Sequence, residues 1–251
     1  MNDHGQQESY NSTDLSITIA VVALNEEVLI EETVKSILPH LEKFFVYYEV
    51  ILIDDGSQDN TPHIMEALAR SHDKIKVIHN KQNLGLGASF QRVLQVAKFK
   101  YFMMLCGDGG MPAESLPPIF AAVGQADVVV PYITNLAIIK SKSRYYLSKV
   151  YISILNLIFT QKIRYYNGLP VYRADLLRAI NIRSSGFGFQ GEILTKLLKR
   201  GCSYIEVGVP GSEKANRSRA VSVKNFINVG RTFMGLLRDI YFTTTKPLPK
   251  S

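Results

Sequence analysis

Tryptophan is missing from this sequence of 251 residues, and cysteine occurs only as Cys106 and Cys202. Two distant cysteines without C-x-x-C spacing exclude a disulfide framework and a thiolate zinc site, and they suit a cytosolic setting. None of the five histidines is paired with another at metal-ligand spacing, which removes a histidine-held metal centre. No apolar run reaches the length of about 18 residues that a membrane-spanning helix needs. The start, MNDHGQQESYNSTD, lacks the basic and apolar regions of a signal peptide, so neither a span nor a leader is expected. A G-x-G-x-x-G fingerprint is absent after the first apolar run, and G-x-x-x-x-G-K-[ST] is absent throughout. Those gaps argue against a dinucleotide dehydrogenase and a P-loop ATPase.

What is present is ordinary for a globular protein: 46% hydrophobic and 20% charged residues, enough to build a sizeable core. Lys and Arg number 29 against 22 Asp and Glu, a formal charge of +7, which favours anionic partners such as nucleotides, phosphorylated substrates or acidic lipid. No recognisable nucleic-acid reading module accompanies the charge, so nucleic acid is not an expected partner.

Continuous apolar runs closed by turn residues predict buried strands at Ile17–Ala23, Val46–Ile53, Ile75–His79, Tyr101–Leu105, Asp127–Pro131, Pro170–Tyr172 and Ser203–Val209. Helical spacing follows the first at Leu29, Ile30, Val34, Ile37 and Leu38, the second at Ile64, Met65 and Leu68, and the third at Phe90, Val93 and Leu94. Further helices are expected at Glu114–Val123, Gly191–Lys199 and about Asn225–Tyr241. Alternation of this kind predicts an α/β fold with a mostly parallel central sheet. Residues 1–14 and 243–251 read as flexible tails around a single domain, 15–242, with a nucleotide-binding half (15–131) and a second half (132–242). In Ala137–Phe159, Lys140, Lys142, Arg144 and Lys149 alternate with apolar residues, a basic amphipathic helix or pair that suits either a membrane surface or a protein contact. Tyr145, Tyr146, Tyr151, Tyr165 and Tyr166 are open to the same two readings, interface anchors or core.

Three strand-end loops share one address: Asn25-Glu26-Glu27, Asp54-Asp55-Gly56-Ser57 and Cys106-Gly107-Asp108. In an open α/β sheet the crevice outside the carboxyl ends of the strands is where ligands bind. Carboxylates there can accept from ribose or base, or hold a divalent ion that bridges a diphosphate. Asp59 suits a helix cap, and Gly85 and Gly87 relieve a tight turn before the third helix.

The order ALNEE, VILIDDGSQDNT, NLGLGA and then a strand ending in G-D resembles the inverting GT-A glycosyltransferases of family 2, of the dolichyl-phosphate mannosyltransferase kind. Residues 17–130 carry the resemblance strongly. Tyr166 to Phe226, through NGLPVYRADLL, FGFQGEIL and SVKNF, carries it more weakly as an acceptor half. The resemblance implies sugar transfer from a nucleoside-diphosphate sugar, UDP- or GDP-linked, with inversion and with Mg²⁺ or Mn²⁺ as cofactor. It assigns Ala23, Leu24, Glu26, Asp54, Asp55, Gly85, Gly87 and Gly107 to the nucleotide-sugar side, and Asp108 to metal binding and catalysis.

Two departures stand out. Cys106 occupies the place of the first acid of the family's D-x-D motif, and Asn167 stands where an acid is common. A small buried hydrophobe is the plainer reading of Cys106. Arg173, with Arg217 and Arg219 in a basic loop that includes Lys214 and Lys224, is expected to grip phosphate. Glu192 is the candidate base if the acceptor is a hydroxyl, with an exposed helix salt bridge as the alternative reading. The preferred acceptor is a polyprenyl phosphate, met peripherally on the cytoplasmic face of a membrane. A polysaccharide or soluble hydroxyl acceptor, a non-catalytic nucleotide-sugar-binding subunit, and a membrane-protein partner or homo-oligomer remain open alternatives.

Overall fold

The computed structural model describes residues 15–186 and 188–211, together with residues 235 and 238. Seven strands form one sheet: β1 (Ser16–Ala23), β2 (Tyr47–Asp54), β3 (Ile75–His79), β4 (Tyr101–Cys106), β5 (Val128–Ile133), β6 (Val171–Arg173) and β7 (Tyr204–Val209). Their order is β3-β2-β1-β4-β6-β5-β7. All neighbours pair in parallel except β6, which runs antiparallel to both β4 and β5. The mostly parallel α/β architecture expected from the alternating pattern is therefore present, and β6 threads the second half of the chain into the sheet of the first.

The apolar runs become central strands because both of their faces are covered. Every residue of β1 is buried, as a strand between two helical layers requires. Alternate side chains divide between the layers. Ala20, Val22, Ile51 and Ile53 pack with residues of α3 (Leu86–Val96), α6 (Lys142–Phe159), α7 (Ala174–Arg178) and α8 (Phe189–Lys199). Ile19, Val21, Val50 and Leu52 pack with α1 (Ile30–Phe44), α2 (Thr61–Ser71) and α4 (Leu116–Ala121). In α1 the buried set Ile30, Thr33, Val34, Ile37 and Leu41 forms the stripe that its spacing predicts.

Some boundaries differ from expectation for local reasons. The helix anticipated over Glu114–Val123 begins as a 3₁₀ turn at Ala113–Ser115 and becomes α4 only from Leu116. Pro117 and Pro118 lack the N–H groups that a longer helix would use, and proline is tolerated in a first turn. Ala137–Phe159 resolves into a short α5 (Leu136–Ile139) and the long α6. Helix α7, directly after β6, was not foreseen. The basic loop with Arg217 and Arg219, and both expected tails, lie outside the described residues; of the last expected helix only residues 235 and 238 are described, both helical.

Three backbone bonds level the strand ends that carry the loops. Asp55 N donates to Ala23 O at 2.9 Å, Gly107 N to Val22 O at 2.8 Å, and Asn80 N to Asp54 O at 2.8 Å. Phe90 of α3 is the hinge of the covering layer, with its ring 5.0 Å from Phe102 of β4 and 5.2 Å from Phe189 of α8. Phe90→Ala should lower unfolding stability by about 3–5 kcal/mol in urea titrations.

Candidate active site at the carboxyl edge of the sheet

The loops after β1 and β2 are laced together. Asn25 N donates to Ser57 Oγ at 2.9 Å, Gln58 N to Asn25 Oδ1 at 2.8 Å, Glu26 N to Thr61 Oγ1 at 2.8 Å, and Asn60 N to Glu27 Oε2 at 2.9 Å. Asp59, one residue before the N-cap Asn60 of α2, accepts from Thr61 N at 3.0 Å and Glu27 N at 3.2 Å, so it ties the start of the helix to the neighbouring loop without being its N-cap. Asn25 supports this lacing with a left-handed backbone, φ 56. The Glu26 side chain remains at the surface of the crevice.

Asp55 behaves differently from expectation. It is 3% exposed, and both oxygens are engaged: Oδ1 accepts from Asn80 Nδ2 (2.7 Å), Leu84 N (3.0 Å) and Ser89 Oγ (3.0 Å), and Oδ2 from Gly85 N (2.9 Å). A carboxylate offers about four acceptor sites, two on each oxygen, so Oδ1 is saturated by the loop and Oδ2 keeps one site. Its neighbour Asp54 is also committed, accepting from Ser57 N at 2.9 Å and facing His79 Nδ1 at 3.4 Å. Both support the loops in this structure, as buried carboxylates require donors.

Glu26 and Asp108 keep open capacity. Burial, then the charges of Asp108 and Asp59, push the Glu26 pKa above its ordinary value, and the loops that carry Glu26 and Asp108 leave neighbouring parallel strands at one edge, with Val22 of β1 in register with Cys106 of β4. Asp108 Oδ1 accepts from Gly110 N at 2.9 Å. Gly107 lets the β4 loop lie close to β1: a Cβ there would stand 2.8 Å from Ile30 Cδ1 and 2.9 Å from Ala23 Cβ. Ala23 is buried and Leu24 half-buried beside it. Burial, reinforced by Asp108 and Glu26, raises the Cys106 thiol to about 12, so it stays protonated at neutral pH. That favours the small-hydrophobe reading over a thiolate.

Among the described residues no cluster of three or more His, Cys, Asp or Glu is arranged to hold a metal. The donor set still fits Mg²⁺ or Mn²⁺. Magnesium commonly takes one or two carboxylates together with waters and substrate phosphates, and Asp108 and Glu26 lie on loops that follow the paired strands β4 and β1. A cavity of about 310 Å³ borders the same loop, lined by Cys106 and Gly109 with Thr33, Ile37 and Met111, and it includes none of Ala23, Glu26, Asp54 or Asp55.

Two expected site residues lie elsewhere. Arg173 pairs in register with Tyr101, the first residue of β4, so it sits at the amino-terminal edge of the parallel strands, opposite the crevice. It is spent on Asp127 at 3.0 Å and Asp175 at 2.7 Å. Glu192 is 3% exposed rather than a surface pair. It accepts from Arg183 N at 3.0 Å and Ser184 N at 2.8 Å and pairs with Lys196 Nζ at 2.5 Å. These partners hold its pKa below the ordinary range against the opposing effect of burial. An engaged carboxylate with lowered proton affinity is a poor general base, so that role is corrected.

Asn80, Ser89, Thr61 and His79 were missed by sequence reasoning. Asn80 also accepts from Arg92 Nη1 and donates to Ser89 Oγ at 2.9 Å. His79, held above its usual pKa first by Glu66, links that residue at 2.9 Å to Asp54. The available signal was weak: a polar residue closing β3 and a serine on the apolar face of α3.

A pair of substitutions separates support from ligand site. Asp55→Asn turns an acceptor into a donor opposite buried donors and should cost about 2–3 kcal/mol in urea unfolding of the ligand-free protein. Glu26 has the opposite sign. A carboxyl whose pKa rises on folding holds its proton more tightly when folded, so its ionisation costs stability as pH rises through the ordinary and then the raised value. Glu26→Gln should therefore raise Tm at pH 7 by about 1–2 °C, measured without metal or nucleotide.

Comparison with known proteins bears on the family and the fold. The model of the family described as Glycosyl transferase family 2 matches residues 18–182. The beta-monoglucosyldiacylglycerol synthase of Nostoc sp. is 33% identical over 115 residues, covering 45% of this chain and 24% of that protein. The chain thus spans about a quarter of that relative's length. The undecaprenyl-phosphate mannosyltransferase of Micrococcus luteus is 27% identical over 184 residues, covering 66% of this chain and 72% of the relative. Among solved structures, glucosyl-3-phosphoglycerate synthase from Mycobacterium tuberculosis, in complex with Mg²⁺ and UDP, superposes with TM-score 0.66 at 16% identity, covering 90% of this chain and 79% of that one. The likeness establishes a shared GT-A fold. With the family match spanning all four strands that flank the crevice, from β1 through β4, the chain belongs to glycosyl transferase family 2.

Proposed function

We propose that the protein transfers a sugar from a nucleoside-diphosphate sugar to a polyprenyl phosphate, with inversion at the anomeric carbon, while seated peripherally on the cytoplasmic face of a membrane. The observation that carries the donor half is the placement of Glu26 and Asp108 on the loops that follow the paired parallel strands β1 and β4, in a family 2 chain. Asp108, with Glu26 beside it, would hold Mg²⁺ or Mn²⁺, and the cation would supply charge stabilisation for the departing diphosphate. Ala23 and Gly107 pack closely against each other at this edge, with Leu24 half-buried beside them, and these three are proposed to border the nucleotide. The laced β1 and β2 loops hold Glu26 in place without using its carboxylate.

Support for the acceptor comes from two directions. The Micrococcus luteus relative is an undecaprenyl-phosphate mannosyltransferase, and a Dictyostelium discoideum relative, 28% identical over 110 residues, is a dolichyl-phosphate beta-glucosyltransferase. A phosphate acceptor is already ionised and needs no base, which suits a chain whose candidate base is buried and paired. Helix α6 also leaves Tyr146, Leu147, Val150, Ile154 and Leu157 exposed along one face, Leu157 at 80%, with Lys142 and Lys149 also on that helix. Such a face suits partial insertion at a lipid surface. The described residues contain no helix long and apolar enough to cross a membrane. Tyr151, Tyr165 and Tyr166 are instead turned toward the protein core, so Tyr146 is the aromatic available to lipid.

Incubation with UDP- and GDP-sugars, Mg²⁺ and either undecaprenyl phosphate or 3-phosphoglycerate should give sugar transfer to the lipid. Asp108→Asn should lower turnover by about 100-fold or more. Transfer to 3-phosphoglycerate alone would overturn the lipid acceptor, and nucleotide binding without transfer would favour a non-catalytic subunit. In flotation with anionic vesicles, Ile154→Glu with Leu157→Glu should reduce binding about tenfold or more.

A further inference from the structure

The buried pair Glu192 and Lys196 lies in the second half of the chain, yet its contacts lead to the donor loop. Glu192 Oε1 accepts from Arg183 N and Oε2 from Ser184 N, while Lys196 Nζ also donates to Asn181 O at 2.8 Å. Two charges buried at 3% and 7% exposure on α8 thus fix the backbone of residues 181–184. The next residue presents its carbonyl to the loop before α3: Gly87 N donates to Ser185 O at 2.8 Å. The approach is too close for any side chain. A Cβ on Gly87 would lie 2.3 Å from Ser184 O, and one on Gly85 would lie 2.9 Å from Ser185 O. Gly85 N, in turn, is one of the four donors to Asp55. The glycines that sequence reading assigned to a tight turn are therefore also a docking seam.

From this continuous path we infer that Glu192 is a positioning residue: with Lys196 it braces the 181–185 segment of the acceptor half against the Leu84–Gly87 loop, and so sets the wall of the donor pocket that Asp55 holds from the other side. A buried pair of opposite charges is a costly way to gain stability alone. A fixed register between two loops is what its geometry secures. Placing the braced wall at the donor rests on the donor pocket proposed above, whereas the first readout below needs no ligand.

Amide hydrogen exchange of the ligand-free protein should show Leu84, Gly85 and Gly87 exchanging at least about tenfold faster in Glu192→Ala than in wild type, with Glu192→Gln intermediate because its carbonyl keeps one acceptor. Unchanged exchange at those amides in a folded variant would overturn the brace. Gly87→Ala opens the same seam from the opposite side, and it supplies the test if Glu192 variants do not fold: its exchange at Leu84 and Gly85 should rise in the same way, and unchanged exchange would count against the seam. If both variants fold, their effects should be less than additive in the double variant, and full additivity would contradict a shared contact. In transfer assays Glu192→Gln should raise donor KM about tenfold with kcat within about twofold and the acid limb of its pH profile unmoved. A large kcat loss with that limb abolished would return Glu192 to the role of base. A wild-type protein that shows the exchange coupling yet binds neither UDP nor GDP would leave the brace standing and refute the donor reading instead.

Discussion

The carboxylate of Asp55 is the constraint around which this edge of the molecule is built. Its backbone N–H extends the β1–β2 ladder by donating to Ala23 O, so the side chain is delivered at a fixed height beyond the sheet. There it gathers Asn80 from the end of β3, Ser89 from α3 and two successive backbone N–H groups from the intervening loop. A buried negative charge is tolerable only when it is hydrogen-bonded in this way, and the same requirement makes the loop before α3 take one conformation. Gly56 adds to the fit, because a Cβ there would meet the backbone of Gln82 at 2.6 Å.

This arrangement divides the acidic residues of the edge into two kinds. Asp54, Asp55 and Asp59 are engaged by donors of the fold. Glu26 and Asp108 retain capacity, and the Asp108 charge contributes to the raised pKa of Glu26. Cys106 belongs with this economy. A second carboxylate at its position would add one more charge to a site where burial already holds the thiol protonated. With cysteine there, the divalent ion proposed for this site would draw its remaining ligands from phosphates and water.

Much of this was legible in the sequence, and the rest was hidden for definite physical reasons. Strands β1, β2 and β4 announced themselves as unbroken apolar runs because both faces are buried, and their loops shared an address because parallel strands end at one edge. The inward turn of Asp55 could not be read, since its partners Asn80 and Ser89 lie 25 and 34 residues away and carry no pattern of their own. Arg173 was misplaced by strand direction: a residue ending a parallel strand would reach the crevice, but β6 runs antiparallel, so its end lies at the opposite edge. Glu192 and Lys196 look like an exposed i,i+4 pair on paper, and only the packing of α8 against the sheet reveals that both are buried. The four-residue break-off of α5 from α6 and the shortening of α4 are local effects, the latter traceable to two adjacent prolines.

The two halves of the chain thus meet at the donor edge by different means, the first through its laced loops and the second through the seam between Ser185 and Gly87. The most direct test of the division between supporting and ligand-bearing carboxylates is a crystal structure with Mn²⁺ and the nucleoside diphosphate that the protein binds, located by the anomalous signal of manganese. The predicted result is manganese within coordination distance of Asp108 and close to Glu26, with Asp55 still bonded to Asn80, Ser89, Leu84 and Gly85. Manganese remote from Asp108, or an Asp55 carboxylate released from that loop to contact the nucleotide, would contradict it.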